Sequence, residues 1–183
     1  YQTGKYPYEN LIGGDGMQIQ IDKRNPNIVF TGFQFGNYYR IDRANNKRDY
    51  ISPVQKKGEK PFRYNWQTPI LLSSHNQEIL YMGSNFLHRS MNQGQTWTAI
   101  SPDLTQGAKE GNVAFGTIAA ISESPLQFGL LYTGSDDGLV HVSKDGGATW
   151  NIISGNLPQN RWISRVVASA HKKERVYVTL NGY

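Results

Sequence analysis

Apolar positions come in short bursts that return with a long period. Four bursts carry an aromatic residue: Ile28-Val29-Phe30-Thr31-Gly32, Ile79-Leu80-Tyr81-Met82-Gly83, Leu130-Leu131-Tyr132-Thr133-Gly134 and Arg175-Val176-Tyr177-Val178-Thr179. Their aromatic members, Phe30, Tyr81, Tyr132 and Tyr177, lie 51, 51 and 45 residues apart. An upstream stretch precedes each burst, at Met17 to Asp22, Thr68 to Ser73, Thr117 to Ser122 and Ser164 to Ser169. Turn-rich segments such as Asp22-Lys23-Arg24-Asn25-Pro26 and Ser122-Glu123-Ser124-Pro125 join the two. A third signal ends the units: Ile51-Ser52-Pro53, Ile100-Ser101-Pro102 and Ile153-Ser154-Gly155. Short runs bounded by turn residues predict strands, four to a unit and labelled A to D. The predicted units are 16–52, 67–101, 116–154 and an incomplete 163–183. A four-stranded antiparallel unit cannot bury both of its faces alone, and stacking such units radially buries them against one another. The expected fold is therefore all-β: a β-propeller segment of about three and a half four-stranded antiparallel blades. Closed propellers use about four to eight blades, so the expected ring is larger, with seven blades or more. The first residue is Tyr1 rather than Met, and Tyr183 falls inside an expected strand. The rest of the ring is then expected elsewhere in a longer parent chain.

A tighter motif sits between strands C and D. Ser90-Met91-Asn92-Gln93-Gly94-Gln95-Thr96-Trp97 matches Ser143-Lys144-Asp145-Gly146-Gly147-Ala148-Thr149-Trp150, 53 residues later. The shared positions are Ser90, Asn92, Gly94, Thr96 and Trp97 in one copy and Ser143, Asp145, Gly147, Thr149 and Trp150 in the other. Asn92 and Asp145 can accept hydrogen bonds from their own turn. Gly94 and Gly147 can take positive φ. Trp97 and Trp150 then begin strand D and place a large ring between blades. The first unit carries a worn version, Ile41-Asp42-Arg43-Ala44-Asn45-Asn46, without the Thr-Trp. The alternative use of the acidic position is a metal or sugar site.

This motif is that of the Asp box, or bacterial neuraminidase repeat. The chain resembles the Asp-box propellers: sialidases, xyloglucanase-type glycoside hydrolases, photosystem assembly factors and sortilin-type luminal domains. It is most similar to the sortilin-like, glycosyl-hydrolase-like exported proteins of bacteria, through Gly13-Gly14-Asp15-Gly16, Arg63-Tyr64-Asn65-Trp66-Gln67-Thr68-Pro69-Ile70-Leu71, Ser101-Pro102-Asp103-Leu104, Gly134-Ser135-Asp136-Asp137-Gly138 and Arg161-Trp162-Ile163-Ser164-Arg165-Val166. The resemblance implies a location outside the bacterial cytoplasm: periplasm, outer surface or medium. It says little of function, because one fold hosts both enzymes and binders.

Composition narrows the choice. Of 183 residues, 18% are charged and 12% aromatic, with 19 Gly and 8 Pro, which suits a turn-rich β protein rather than a disordered tail. There is no Cys, so disulfides, thiol catalysis and cysteine zinc sites are excluded. No apolar run reaches the length of a membrane helix, so direct membrane insertion is not expected. The net charge is +5, but Lys23, Arg24, Lys47, Arg48, Lys56, Lys57, Lys60, Lys172 and Lys173 are scattered, mostly in predicted turns. A nucleic-acid partner would want them gathered on one face. The histidines, His75, His88, His141 and His171, are at least 13 positions apart and form no metal-type pair. No cofactor and no metal are expected.

Strand order sorts the loops into two faces. The D-to-A and B-to-C connections emerge at one end and the A-to-B and C-to-D connections, including both boxes, at the other. On the first face, four residues before the aligned A-strand positions Ile19, Ile70, Ala119 and Val166, stand Asp15, Trp66, Phe115 and Trp162, with Arg63, Asn65 and Arg161 beside them. The B-to-C turns add Gln34, Asn85, Asp136 and Asp137. An aromatic rim edged with amides and charges suits sugar rings or an extended peptide. The same residues also read as blade-interface plugs (Trp66, Trp162) and turn caps (Asp15, Asp136, Asp137). A glycosidase needs two carboxyls across one bond, and the candidates are Asp136 and Asp15. In the xyloglucanase-type enzymes one catalytic Asp follows the aromatic strand of an early blade, where this chain has Gln34. Arg63, Arg161 and Arg165 match no sialidase motif. The expectation is a non-catalytic module binding a protein, peptide or glycan through the first face, with the rest of the parent propeller as a further partner. The alternatives are a glycoside hydrolase, xyloglucanase- or sialidase-like, whose remaining carboxylate lies elsewhere, and a structural subunit of a surface complex.

Overall fold

Each aromatic burst is rich in β-branched and aromatic residues, which pack well on a pleated surface, and each becomes the second strand of a sheet. The computed structural model describes residues 10–182. Residues 1–9 and Tyr183, the last residue assigned to the fourth unit, lie outside the described residues. The first sheet comprises β1 (Gln20–Ile21), β2 (Ile28–Phe33), β3 (Asn37–Asp42) and β4 (Lys47–Tyr50). The second comprises β5 (Ile70–Leu72), β6 (Leu80–Gly83), β7 (Leu87–Ser90) and β8 (Thr98–Ala99). The third comprises β9 (Ile118–Glu123), β10 (Leu131–Ser135), β11 (Val140–Ser143) and β12 (Asn151–Ile152), and β13 (Ile163–Ala168) pairs with β14 (Val176–Leu180) in the fourth. Neighbours in every sheet are consecutive and antiparallel. There is no helix among the described residues.

The internal repeat is exact in its hydrogen bonds. In every A-to-B turn an N–H donates to the carbonyl six residues on: Asp22 to Ile28, Ser73 to Ile79, Ser124 to Leu130 and Ser169 to Arg175. Each complete sheet also ends alike, with the N–H of Ile51, Ile100 and Ile153 donating to the carbonyl of Tyr38, Leu87 and Val140. The serine that follows closes the first two endings. Ser52 and Ser101 accept from the N–H of Tyr38 and Leu87 at 2.9 and 2.8 Å.

The core lies between sheets rather than within them. Ile28, Phe30, Tyr38 and Ile51 of the first sheet pack on Ile70, Leu72, Leu80 and Met82 of the second. Ile79, Tyr81, Leu87 and Leu104 meet Ile118 and Leu131 of the third. Ala120, Leu130, Tyr132, Val140 and Val142 meet Ile163, Val166 and Ala168 of the fourth. The four inner strands line one hollow, walled by Gln18, Pro69, Ala119, Arg165 and their neighbours. Side chains satisfy the inner strand edges: Ile70 and Leu72 donate to Gln18 and Gln20 Oε1, and Ala168 donates to Ser122 Oγ. Face-to-face sheets around a common hollow are a β-propeller segment.

Both eight-residue turns clasp the preceding sheet. In the third sheet Asp145 accepts the Thr149 N–H and hydroxyl at 2.9 and 2.6 Å and the Ser143 hydroxyl at 2.8 Å, while Ser143 accepts the Gly147 N–H. In the second sheet Asn92 and Ser90 repeat these bonds, with Asn92 donating to the Thr96 hydroxyl instead of accepting from it. The turn brings its glycine and tryptophan onto the isoleucine ending of the sheet before. Trp97 Nε1 donates to the Ile51 carbonyl, and Trp150 Nε1 to the Ile100 carbonyl at 2.9 Å. Gly94 and Gly147, at φ 91° and 100°, pass so close that a Cβ would lie 2.7 Å from Ile51 Cβ and from the Ile100 carbonyl oxygen. Arginines add a grip: Arg40 donates to Gln93 Oε1 and Arg89 to the Gly146 carbonyl.

The first sheet differs from its expected form. Its turn is a four-residue hairpin in which Asp42 pairs with Lys47 across the ladder and accepts from Asn45. Lys47 and Arg48 therefore stand on strand β4 rather than in a turn. Strand A shrinks to two residues, because Ile19 and Ile21 face solvent and gain little by pairing.

Two measurements test the clasp. Gly147→Ala should destabilise the fold by about 2–4 kcal/mol, from positive-φ strain and overpacking, whereas Gly155→Ala, with open space around it, should change stability by under about 0.5 kcal/mol. Equal effects in urea denaturation would refute the close approach. Hydrogen bonds, first from the Thr149 hydroxyl, hold the Asp145 carboxyl down at about 2. A carboxyl lowered on folding stabilises above its unfolded value, near 4, and loses that contribution as pH falls through about 2. Asp145→Asn, which reproduces the Asn92 turn, should flatten the stability profile between pH 4 and 2.

Candidate functional site

The first face is built from the D-to-A and B-to-C connections, and one segment, Arg63–Gln67, joins three sheets there. Arg63 donates through its backbone to Asn85 Oδ1 and through its guanidinium to the Gly116 carbonyl, Asp103 and Thr105. Tyr64 donates its hydroxyl to the Pro53 carbonyl at 2.7 Å. Asn65 is buried and donates to Thr117 Oγ1 at 2.9 Å and Asp136 Oδ2 at 3.4 Å. Trp66 accepts the Phe35 N–H on its carbonyl and meets the Phe35 ring edge-on, centroids 5.2 Å apart.

Two acidic residues of the face, Asp136 and Asp137, turn inward. Asp136 is 3% exposed, and its two oxygens accept the N–H groups of Gly116 and Thr117, the Thr117 hydroxyl and the Asn65 amide. Burial raises its carboxyl above the usual value, partly offset by the Thr117 bonds. Asp137 is 1% exposed; it accepts from the Ser135 hydroxyl and from the Gln106 N–H, and the Gln106 side chain bonds its carbonyl. Asn85 does the same work one sheet earlier, donating to Asp103. Burial works against the Asp103 charge, but bonds from Thr105, Arg63 and Asn85 outweigh it and hold the carboxyl below its ordinary value. These turn residues thus anchor the loops at 61–66 and 103–107. They present no carboxylate pair to a substrate.

What the face presents is aromatic. Trp66 is 45% exposed, Phe35 40% and Trp162 39%. Asp15 and Arg161 are exposed near the surface, and Gln34, Arg63 and Phe115 are half-buried. Lys109 Nζ lies 4.2 Å above the Phe115 ring. Phe35 was not among the sequence-derived candidates. It sits at φ 57°, a conformation costing about 1–2 kcal/mol for a side-chain-bearing residue. The Asn37 amide on the Gln34 carbonyl and the Trp66 carbonyl on the Phe35 N–H hold it there. Its one trace in the sequence is Phe33-Gln34-Phe35-Gly36, two aromatics in a turn where one suffices to close a strand.

Two of the histidines, His88 and His141, are buried between strands. His88 Nε2 lies 2.8 Å from Ser84 Oγ, and burial pulls its pKa down to about 4, so it is neutral at pH 7. Burial lowers His141 as well. Among the described residues no group of three His, Asp or Glu side chains could hold a metal ion, and no helix is long and apolar enough to cross a membrane.

Comparison with solved structures places this architecture among propellers. An ancestral GH74 enzyme matches 91% of this chain at a TM-score of 0.63 and 17% identity, over 22% of its own length. The GH74 xyloglucanase from Xanthomonas campestris matches 88% at 0.63 and 18% identity, over 26% of its length. The GH74 enzyme of Niastella koreensis matches 90% at 0.58 and 20% identity, again over 26%. The protein is an all-β propeller segment. It spans about a quarter of the length of these enzymes, and at such identities the likeness is one of fold. No protein-family model matches the sequence, and no curated protein matches it.

Removing the Asn65 amide strips a donor from the buried Asp136. Asn65→Ala should cost about 1–3 kcal/mol in urea unfolding, against under about 1 kcal/mol for the exposed Trp66→Ala. The reverse order would refute the division between anchoring and presented residues.

Proposed function

We propose that this chain is part of a non-catalytic propeller module of an exported or cell-surface bacterial protein, and that its first face binds a glycan. The observation that carries this reading is the exposed Phe35–Trp66 pair, held by a strained backbone on a face whose buried carboxylates, Asp136 and Asp137, are consumed by loop anchoring. Flat aromatic rings stack on the apolar faces of sugars, while Asp15, Gln34 and Arg161 offer polar edges. The two tryptophan turns are Asp boxes in this reading. The resemblance to sortilin-like exported propellers supports the location, and the rest of the parent propeller is the partner that completes the ring. A protein or peptide ligand is the nearest competitor, since an extended chain also suits an aromatic rim. Neither a nucleic acid nor the membrane interior is a partner.

A second reading draws on the GH74 likeness: a glycoside hydrolase, xyloglucanase-like, with Asp136 or Asp15 acting beside a carboxylate from another part of the parent. The burial of Asp136 and the amide at Gln34 weigh against it.

Titration of the chain with xyloglucan oligosaccharides, and separately with unstructured peptides, tests both. Trp66→Ala and Phe35→Ala should each weaken oligosaccharide binding by about tenfold, which corresponds to about 1.4 kcal/mol. Asp15→Asn and Asp136→Asn, checked for folding by circular dichroism, should leave it within about twofold. Oligosaccharide cleavage that disappears in the Asp variants would replace the binding reading with the hydrolase one. Binding of peptides alone would replace the glycan.

A further inference from the structure

The connection between the first and second sheets frames a cleft of about 760 Å³ beside strand β8, a size that suits a small molecule. Pro53, Val54, Pro61, Phe62, Phe86 and Trp97 supply its apolar lining. Neither Phe35 nor Trp66 lines it, so it is separate from the aromatic pair of the first face. Hydrogen bonds fix the loop that walls it. The Tyr64 hydroxyl donates to the Pro53 carbonyl, the Glu59 N–H donates to the Lys56 carbonyl, and Glu59 Oε2 accepts the Lys56 N–H. The Phe62 ring is packed from behind, its centroid 4.6 Å from that of His88 and 5.8 Å from that of Phe86.

The polar groups inside the cleft are already bonded within the protein. Arg63 holds the Gly116 carbonyl, Asp103 and Thr105, and Asn85 donates to Asp103 and accepts the Arg63 N–H. His88 is buried against Ser84 and neutral at pH 7. The charges left over belong to the loop. Lys56 and Lys60 line the cleft and are exposed, and among the described residues neither forms an ion pair. Glu59 offsets one of the two, which leaves a net charge of about +1 for a monoanion. A matching ligand brings a flat apolar body and one negative charge. A sugar's hydroxyls would meet groups that have no bond to spare.

We propose that this cleft is a second binding site, and that it takes an aromatic carboxylate. The ring of the ligand stacks on Phe62 and Phe86, and its carboxylate meets the ammonium groups of Lys56 and Lys60. The flexible stems of the two lysines let both reach one anion. The inference does not rest on the glycan reading of the first face.

The probe is 2-naphthoate, titrated into the protein at pH 7 and followed by NMR of the backbone amides and tryptophan indoles. Saturable binding is expected, with shifts confined to the loop at 53–63, to Phe86 and to residues 97–99. The double variant Lys56→Gln, Lys60→Gln, in which both replaced side chains are exposed, should weaken it about five- to tenfold. 2-Naphthamide, which keeps the ring without the charge, should bind about fivefold more weakly than 2-naphthoate. Absent or scattered shifts, equal binding by the amide, or unchanged affinity in the double variant overturns the proposal. So does galacturonate binding at the same residues more tightly than 2-naphthoate, which would make the ligand an acidic sugar. A saturating xyloglucan oligosaccharide should leave 2-naphthoate affinity within about twofold; displacement would merge the two sites and overturn the second one. Failure of 2-naphthoate to bind leaves the glycan face to its own titration.

Discussion

A tryptophan reaching back to an isoleucine carbonyl is the contact on which the rest of the molecule depends. A single sheet of this size exposes apolar side chains on both faces, and only a neighbour can cover them. The sheets are narrow, with outer strands of two residues at β8 and β12, so strand pairing alone cannot fix the angle between them. The clasp does so at two points, a hydrogen bond from the ring nitrogen and a glycine seated against the isoleucine. Its geometry demands the eight-residue pattern. Serine and Asp or Asn shape the turn, glycine permits the approach, and threonine closes the turn before the tryptophan leaves it.

The opposite face solves a different problem. Loops that cross from one sheet to the next carry backbone groups into a region with little water, and these must be paired. Asn65, Asn85, Asp136 and Asp137 provide the partners, with Arg63 spanning to the following connection. Once those polar groups are committed to the scaffold, the rings of Phe35, Trp66 and Trp162 are left exposed outside it. A general acid needs an oxygen that a substrate can reach, and Asp136 has both of its oxygens occupied from within.

The repeat made much of the architecture readable. The bursts around Phe30, Tyr81 and Tyr132 are second strands buried on both faces, and burial on both faces writes an unbroken apolar run; the burst around Tyr177 carries the same pattern, although Tyr177 itself is exposed. The outer strands were harder to see, since Thr98–Ala99 and Asn151–Ile152 are exposed and carry no period. The worn first box misled for a physical reason: Asp42 caps a tight hairpin with the same residue type that shapes the longer turn. On the candidate site, aromatic and acidic residues looked alike as members of one face. Nothing local to Asp137 reveals that Gln106, 31 residues earlier, folds over it. Phe35 escaped notice because its importance lies in a backbone angle, which composition does not encode.

The clasps all point the same way along the chain. Each tryptophan finds a receptor made by residues that precede it by about fifty positions, and the plain hairpin of the first sheet carries no tryptophan. A polypeptide leaving the ribosome would therefore always present the finished seat before the residue that fills it. Assembly can proceed in the order of synthesis, one sheet locking onto its predecessor, without waiting for the circle to close.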